Sequence, residues 1–280
     1  MKMTPPGASP SQHLTVFVEG IGLLGPGLSN WAQGCQQLDG SLPYQAGRCI
    51  LPLPMALPPA ERRRAGAVVK VSLAVGQEAV AASGLQVVDL PSVFSSSSGD
   101  AFNCHEICSA LASNDRLISP TRFHNSVHNA ASGYWSISSG SMASSSVLCA
   151  HDASFAAGLL EAMTQAVVEQ TAVLLVAYDT DYPEPMHRVR PVPDTFGVAL
   201  VLAPRRSERS LAQWRLEPNV CLTGAASDRL DERALEDLRQ SIPAARSLPL
   251  LRSVAVQSSG TVMLDYLAGL QLAVQVAPCR

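Results

Sequence analysis

Gly140-Ser-Met-Ala-Ser-Ser-Ser-Val-Leu-Cys-Ala-His-Asp152 runs into Ala153-Ser-Phe-Ala-Ala-Gly-Leu-Leu-Glu-Ala-Met163, and Thr171-Ala-Val-Leu-Leu-Val-Ala-Tyr-Asp179 follows. Small residues make a turn. Phe155, Leu159, Leu160, Met163, Val167 and Val168 then recur at helical spacing and predict a long helix with one apolar face. Asp152 and Ser154 are candidate N-caps, because a side-chain oxygen there can accept from a free backbone N–H. Val173–Ala177 is unbroken and apolar, the pattern of a central strand covered on both faces. A Ser-rich segment entering such a helix is where a nucleophile would stand, since the free N–H groups favour developing negative charge.

The chain has 280 residues, 47% hydrophobic and 15% charged, which is enough for a large core. A net charge of −3 gives no reason to expect nucleic acid or an anionic membrane surface. Lysine occurs only as Lys2 and Lys70. Seven cysteines, odd in number and scattered, favour reduced thiols in a cytoplasmic protein. Cys104-His-Glu-Ile-Cys108 lacks a second ligand pair at metal spacing, so no metal and no cofactor are expected. The Pro-, Ser- and Gly-rich residues 1–12 read as a disordered lead without a signal peptide, and no apolar run reaches the roughly 20 residues needed to insert into a membrane.

In order, Leu14–Val18 predicts a strand and Gly20-Ile-Gly-Leu-Leu-Gly-Pro-Gly27 a glycine turn after it. That run imitates a dinucleotide fingerprint but lacks the following helix and strand. Ser29 reads as the cap of a short helix around Trp31. Residues 41–60 form a Pro-rich loop. Glu61-Arg-Arg-Arg64 opens a helix to about Ala82, and Leu85–Phe94 reads as a strand. Asp100–Ser113 is helical, as is Ala130–Ile137, with Gly133, Tyr134 and Trp135 packed inside. Between them His124, Asn125, His128 and Asn129 suit core or interface hydrogen bonding better than zinc, because the Glu of H-E-x-x-H is missing. Asp179–Pro193 is a polar excursion, Phe196–Leu202 and Leu211–Leu216 are strands, Asp231–Gln240 is a surface helix and Thr261–Val276 a further apolar helix. The alternation makes the chain α/β with helices on both faces.

With these residues in place, the chain resembles the N-terminal half of a β-ketoacyl synthase, the thiolase-like condensing-enzyme fold. The matching features are Gly20–Gly27, the Trp31 helix, the Arg62-Arg-Arg64 helix ending in Gly76-Gln-Glu-Ala-Val80, the Asn125…Asn129-Ala-Ala-Ser-Gly133 segment, the nucleophile-type helix and the strands at Val173–Ala177 and Phe196–Leu202. The resemblance covers residues 14–203. It divides the chain into a lead (1–12), a synthase-like N-terminal domain (13–204) and a shortened C-terminal region (205–280). It is strongest toward the shortened synthase-like proteins of bacterial aryl-polyene and type II polyketide-like clusters.

The departures carry as much meaning. Ketoacyl synthases use a Cys nucleophile, with two His and a Lys from the second half. Here no His follows His187 and no Lys follows Lys70. The matching nucleophile position falls between Ser146 and Asp152, a window containing Cys149. The resemblance implies a non-catalytic, chain-length-factor-like subunit. It would pair with a full-length β-ketoacyl synthase in a heterodimer and meet acyl carrier protein through that partner, in aryl-polyene, polyketide-like or fatty acyl chain elongation. His124, Asn125, His128, Asn129, Tyr134 and Trp135 are the expected interface. Two alternatives stand beside it. One is a minimal synthase or acyltransferase using Cys149, or else Ser145 or Ser146. The other is a homodimeric acyl-binding scaffold. An open face left by the short C-terminal region would be apolar and would require a partner.

Overall fold

The computed structural model describes residues 13–221 and 226–279, so the expected disordered lead lies outside the described residues. In chain order the first part contains β1 (Leu14–Leu24), α1 (Trp31–Leu38), α2 (Pro59–Arg64), α3 (Ala67–Ser83), β2 (Ser92–Ser95), α4 (Ala101–Ala112), α5 (Pro120–His124), α6 (Ala130–Ser139), β3 (Ser145–Leu148), α7 (Ser154–Glu169), β4 (Val173–Asp179), α8 (Met186–Val189) and β5 (Phe196–Ala203). Then come β6 (Ala212–Cys221), α9 (Arg233–Ser241), α10 (Leu248–Ala255), β7 (Gly260–Asp265) and β8 (Gln271–Pro278). One eight-stranded sheet joins them in the order β3-β2-β4-β5-β1-β6-β8-β7. β2 runs parallel to β3 and β4, and the other pairings are antiparallel. This is the thiolase-like α/β arrangement expected, with the C-terminal region continuing the same sheet rather than building a separate one.

β4 is buried along its whole length and β5 almost so, because helices cover both of their faces. On one face α7 and the 3-10 turn Pro243–Ser247 pack on β4 and β5, whose Val173, Leu175, Val198, Leu200 and Leu202 share one core with α1 and α10. On the other, α3 packs on the same strands over Leu174, Val176, Ala199 and Val201, with α6 beside α3. Each such Leu or Val removed from water contributes about 1.5–3 kcal/mol before ordering costs are set against it. β1 spans both parts. Its start pairs with β6 and its end with β5, and a register shift lies between Val18 and Gly20.

The glycines of β1 are not a turn. The strand continues through Leu24, and Gly20 and Gly22 lie beneath α3. A Cβ on Gly22 would stand 1.9 Å from the Val75 carbonyl oxygen, and one on Gly20 would stand 2.1 Å from that of Ala79. Their bare backbone lets the helix settle directly on the strand. The turn comes later, at Gly25–Leu28, where Gly27 takes a positive φ of 68°.

Several local expectations are corrected. The helix from Glu61 is two helices, α2 and α3, separated where Ala65 becomes extended. The cap of α1 is Asn30, whose side chain accepts from Gln33 N at 2.8 Å, and not Ser29. Leu85–Phe94 shortens to a 3-10 turn at Val87–Asp89 and the strand β2. Neither Asp152 nor Ser154 caps α7, which starts behind Ala153 without a side-chain cap. Gly133 is exposed, while Tyr134 and Trp135 are buried.

The largest correction is at Thr261–Val276, which is a β-hairpin. Val262, Leu264, Leu272, Val274 and Val276 are buried with period two, and Gly269 turns the chain at φ 76°. The inner rows Leu216–Val274–Val262 and Leu272–Leu264 face the core with Trp214. The outer row Arg215–Gln275–Thr261 faces away. Among the described residues no helix covers that outer face. That face is mainly polar.

Candidate functional site

The site builds up from β3. This edge strand, unmarked in the sequence reading because it is Ser-rich, pairs in parallel with β2. Both strands deliver their following residues to the same end of the sheet. β2 delivers Ser96-Ser-Ser-Gly99 and β3 delivers Cys149-Ala150, which enters α7 through a 3-10 turn at His151–Ala153. His151 takes a positive φ of 51° there. Ser154 holds the turn. Its hydroxyl accepts from Ala150 N at 2.9 Å and lies 2.9 Å from the Ser96 carbonyl oxygen.

Cys149 is exposed, not packed inside as the flanking Leu and Ala would permit. Its Sγ lies 2.8 Å from His128 Nε2, which arrives from the loop between α5 and α6. Ser96 Oγ is 3.7 Å from the same sulfur and accepts from Gly99 N at 2.9 Å. Burial pushes the Cys149 thiol up, and nearby Asp179 adds to this, while hydrogen bonds from Ser96 and Gly99 oppose it. The thiol form is therefore favoured at neutral pH. The arrangement offers a thiol, an imidazole in hydrogen-bond reach and one backbone N–H, the first elements of a nucleophilic site.

Two carboxylates frame it. Asp179, at the end of β4, is fully buried, and burial raises its pKa to about 6 against the hydrogen bonds it receives. Its oxygens accept from Ser97 N and Ala244 N, each at 2.8 Å. It thus ties the loop after β2 to the 3-10 turn Pro243–Ser247 of the C-terminal region. Burial works against ionisation of Asp152, yet Arg246 and Arg190 outweigh it and hold the carboxyl below its usual range. Arg246 stands 3.0 Å away, and Arg190 also hydrogen-bonds Tyr182 at 3.0 Å. Asp152, at one end of the nucleophile window, is therefore occupied as an ion-pair clamp.

Of the other candidates, Ser145 and Ser146 lie within β3, held by Ser92 at 3.0 Å and Gln165 at 3.1 Å. Asn125 donates to the Arg64 carbonyl at 3.0 Å and accepts from Tyr134 Oη at 3.2 Å. Trp135 packs on Gly76, whose Cβ position is 2.7 Å from its ring. His124, His128 and Asn129 are exposed and Asn125 is half-buried. Only His128 of this set joins Cys149. Ser96 and Gly99 were not singled out from sequence, where Ser95-Ser-Ser-Ser-Gly99 shows only a turn. Cys104 and Cys108 lie on exposed α4, and among the described residues no group of three or more His, Cys, Asp or Glu gathers. No helix among them is long and apolar enough to cross a membrane.

Comparison of the sequence with curated proteins gives no match. Solved structures match along nearly the whole chain. A ketosynthase in complex with its chain length factor from Xenorhabdus doucetiae shares 22% identity over 93% of this chain and 99% of that one, with a TM-score of 0.68. The ishigamide ketosynthase/chain length factor shares 13% over 94% and 99%, at 0.67. A type II polyketide synthase acyl-carrier protein in complex with its ketosynthase bound to the hexaketide shares 13% over 94% and 99%, at 0.71. At these identities the likeness establishes the fold. The family model for the β-ketoacyl synthase N-terminal domain matches residues 31–259. The chain therefore belongs to the β-ketoacyl synthase N-terminal domain family.

Proposed function

We propose that the chain is a non-catalytic, chain-length-factor-like subunit that pairs with an active, full-length β-ketoacyl synthase and shapes the acyl chain made there, with carrier protein engaged through the partner. One observation carries this reading. In a chain of this family the C-terminal region contains neither the His nor the Lys from which a synthase builds its second catalytic half. Solved relatives described as ketosynthase with chain length factor support the pairing. So does the β3 edge, whose outer side has no partner strand among the described residues. Exposed Phe123, Val127 and Met142 lie on the segments that precede β3 in sequence. They offer apolar area next to His124, Asn125, His128 and Asn129. Tyr134 and Trp135 support that surface from inside. An aryl-polyene or polyketide-like elongation system is the setting this reading implies, in the cytoplasm.

The test is co-purification with a co-expressed β-ketoacyl synthase. A one-to-one complex that Phe123→Asp and Val127→Asp disperse, while the isolated variants keep their circular dichroism, is the expected result. A complex indifferent to both substitutions, or none at all, contradicts the reading.

The 2.8 Å contact between His128 and Cys149 favours a second reading, in which Cys149 accepts an acyl group itself. Intact mass after incubation with an acyl-carrier-protein thioester separates the two, because only the second reading adds acyl mass to this chain.

A further inference from the structure

On the side of the molecule away from the β3 edge, with β2, β4 and β5 between, the end of β1 opens into a cleft of about 1120 Å³. Its walls are α1, α3 and the Pro-rich segment between them. Leu24, Leu28 and Leu73, all buried, belong to the lining. The opposite wall carries Ile50, Leu53 and Met55, exposed by 83%, 68% and 65%, together with Leu42. Four large apolar side chains held open on one short segment are costly unless something covers them. Three prolines, Pro43, Pro52 and Pro54, stiffen that wall and keep it from collapsing into the cleft.

Two polar groups in the lining lack partners among the described residues. Lys70 has no ion pair or hydrogen bond among the described residues, although it stands half-buried in the cleft wall. The carboxylate on the same helix, Glu78, is already taken up by Leu23 N at 2.9 Å and Trp31 N at 2.7 Å. Gln37 is only 6% exposed. Its amide nitrogen donates to the Gly27 carbonyl at 3.3 Å, which fixes the orientation of the group, and its buried Oε1 has no donor. A lone ammonium, an unpaired acceptor and long apolar walls together describe what is missing: an anion, a hydrogen-bond donor and a chain.

We propose that this cleft binds an amphipathic carboxylate, with the apolar chain along Leu24, Leu73 and Ile50–Met55, the carboxylate on Lys70 and a hydroxyl or amide donor of the ligand on Gln37. The site does not overlap the β3 edge or the Cys149–His128 pair, so its failure and that of the pairing reading are separate outcomes.

The full chain is titrated calorimetrically with dodecanoate, 12-hydroxydodecanoate and dodecyltrimethylammonium, all below micelle formation. The expected result is saturable binding of both acids at one site and none of the cation. Lys70→Gln weakens both acids about tenfold or more. Gln37→Leu weakens the hydroxylated acid more than the plain one. Ile50→Asp, on the exposed rim where folding is not at stake, also weakens both. Equal binding of the cation, unchanged affinity in Lys70→Gln, or no saturation by either acid overturns the proposal. So does protection of Ile50–Met55 by a protein partner alone.

Discussion

β4 and β5 sit at the middle of the sheet, and β8 and β7 at its far edge, and the two pairs solve burial differently. The central pair is covered on both faces and reads as continuous apolar sequence, Val173–Tyr178 and Phe196–Ala203. The outer pair is covered on one face and reads as alternation, with Leu272, Val274 and Val276 inward and Gln275 outward. Where helices lie on both faces the strands are apolar throughout, and where the described residues place no helix the outward row is mainly polar.

Leu200→Ala, in the doubly covered β5, is expected to cost about 2–5 kcal/mol in denaturant unfolding, because the cavity cannot relax between two helix layers. A loss below about 1 kcal/mol would mean that the central core is looser than described.

Asp179, at the end of the central strand β4, ties it to the 3-10 turn Pro243–Ser247 and gives the fold a pH dependence. Its folded pKa of about 6 is raised above the unfolded value, so the folded chain holds the proton to higher pH. Stability from this group is then greatest below the unfolded pKa, falls as pH rises from about 4 to about 6 by no more than about 3 kcal/mol, and is flat above. Other carboxyls contribute slopes of their own, so the check is the difference between wild type and Asp179→Asn across that window. A flat difference curve would remove Asp179 from the account.

Gly22→Ala, which places a methyl on the Val75 carbonyl, is expected to cost about 1–3 kcal/mol and to shift α3 off β1. Thermal melting reads the first, and altered amide chemical shifts along α3 read the second. At the small end, Gln275→Ala on the open outer face should change stability by no more than about 0.5 kcal/mol. A larger loss would mean that this face is covered.

The central strands, the long helix and the order of elements were legible because their periodicity is set by burial within the chain. Thr261–Val276 misled because Val262, Leu264, Leu272, Val274 and Val276 also fall near helical spacing once Tyr266, Leu267 and Leu270 are counted. The turn at Gly269 and the absence of a charged face were the physical signals against a helix. β3 stayed hidden because Ser145 and Ser146 carry no apolar pattern, and its pairing with β2 is a tertiary fact. For the same reason Cys149 and His128 were each visible but their contact was not. Twenty-one positions separate them, and only the parallel β2–β3 pair and the α5–α6 loop bring them together. Asp152 looked like a cap because the preference of Asp for helix starts is general. Its two arginines come from residues 190 and 246, beyond any local reading.

The proposed non-catalytic role is tested most directly by intact-mass analysis of this chain co-expressed with a full-length β-ketoacyl synthase, after incubation with an acyl-carrier-protein thioester. The synthase alone is expected to gain the acyl mass, and Cys149→Ala in this chain to change neither the gain nor the one-to-one association. Acyl mass on this chain that disappears in Cys149→Ala would contradict it, and would make the thiol beside His128 a nucleophile.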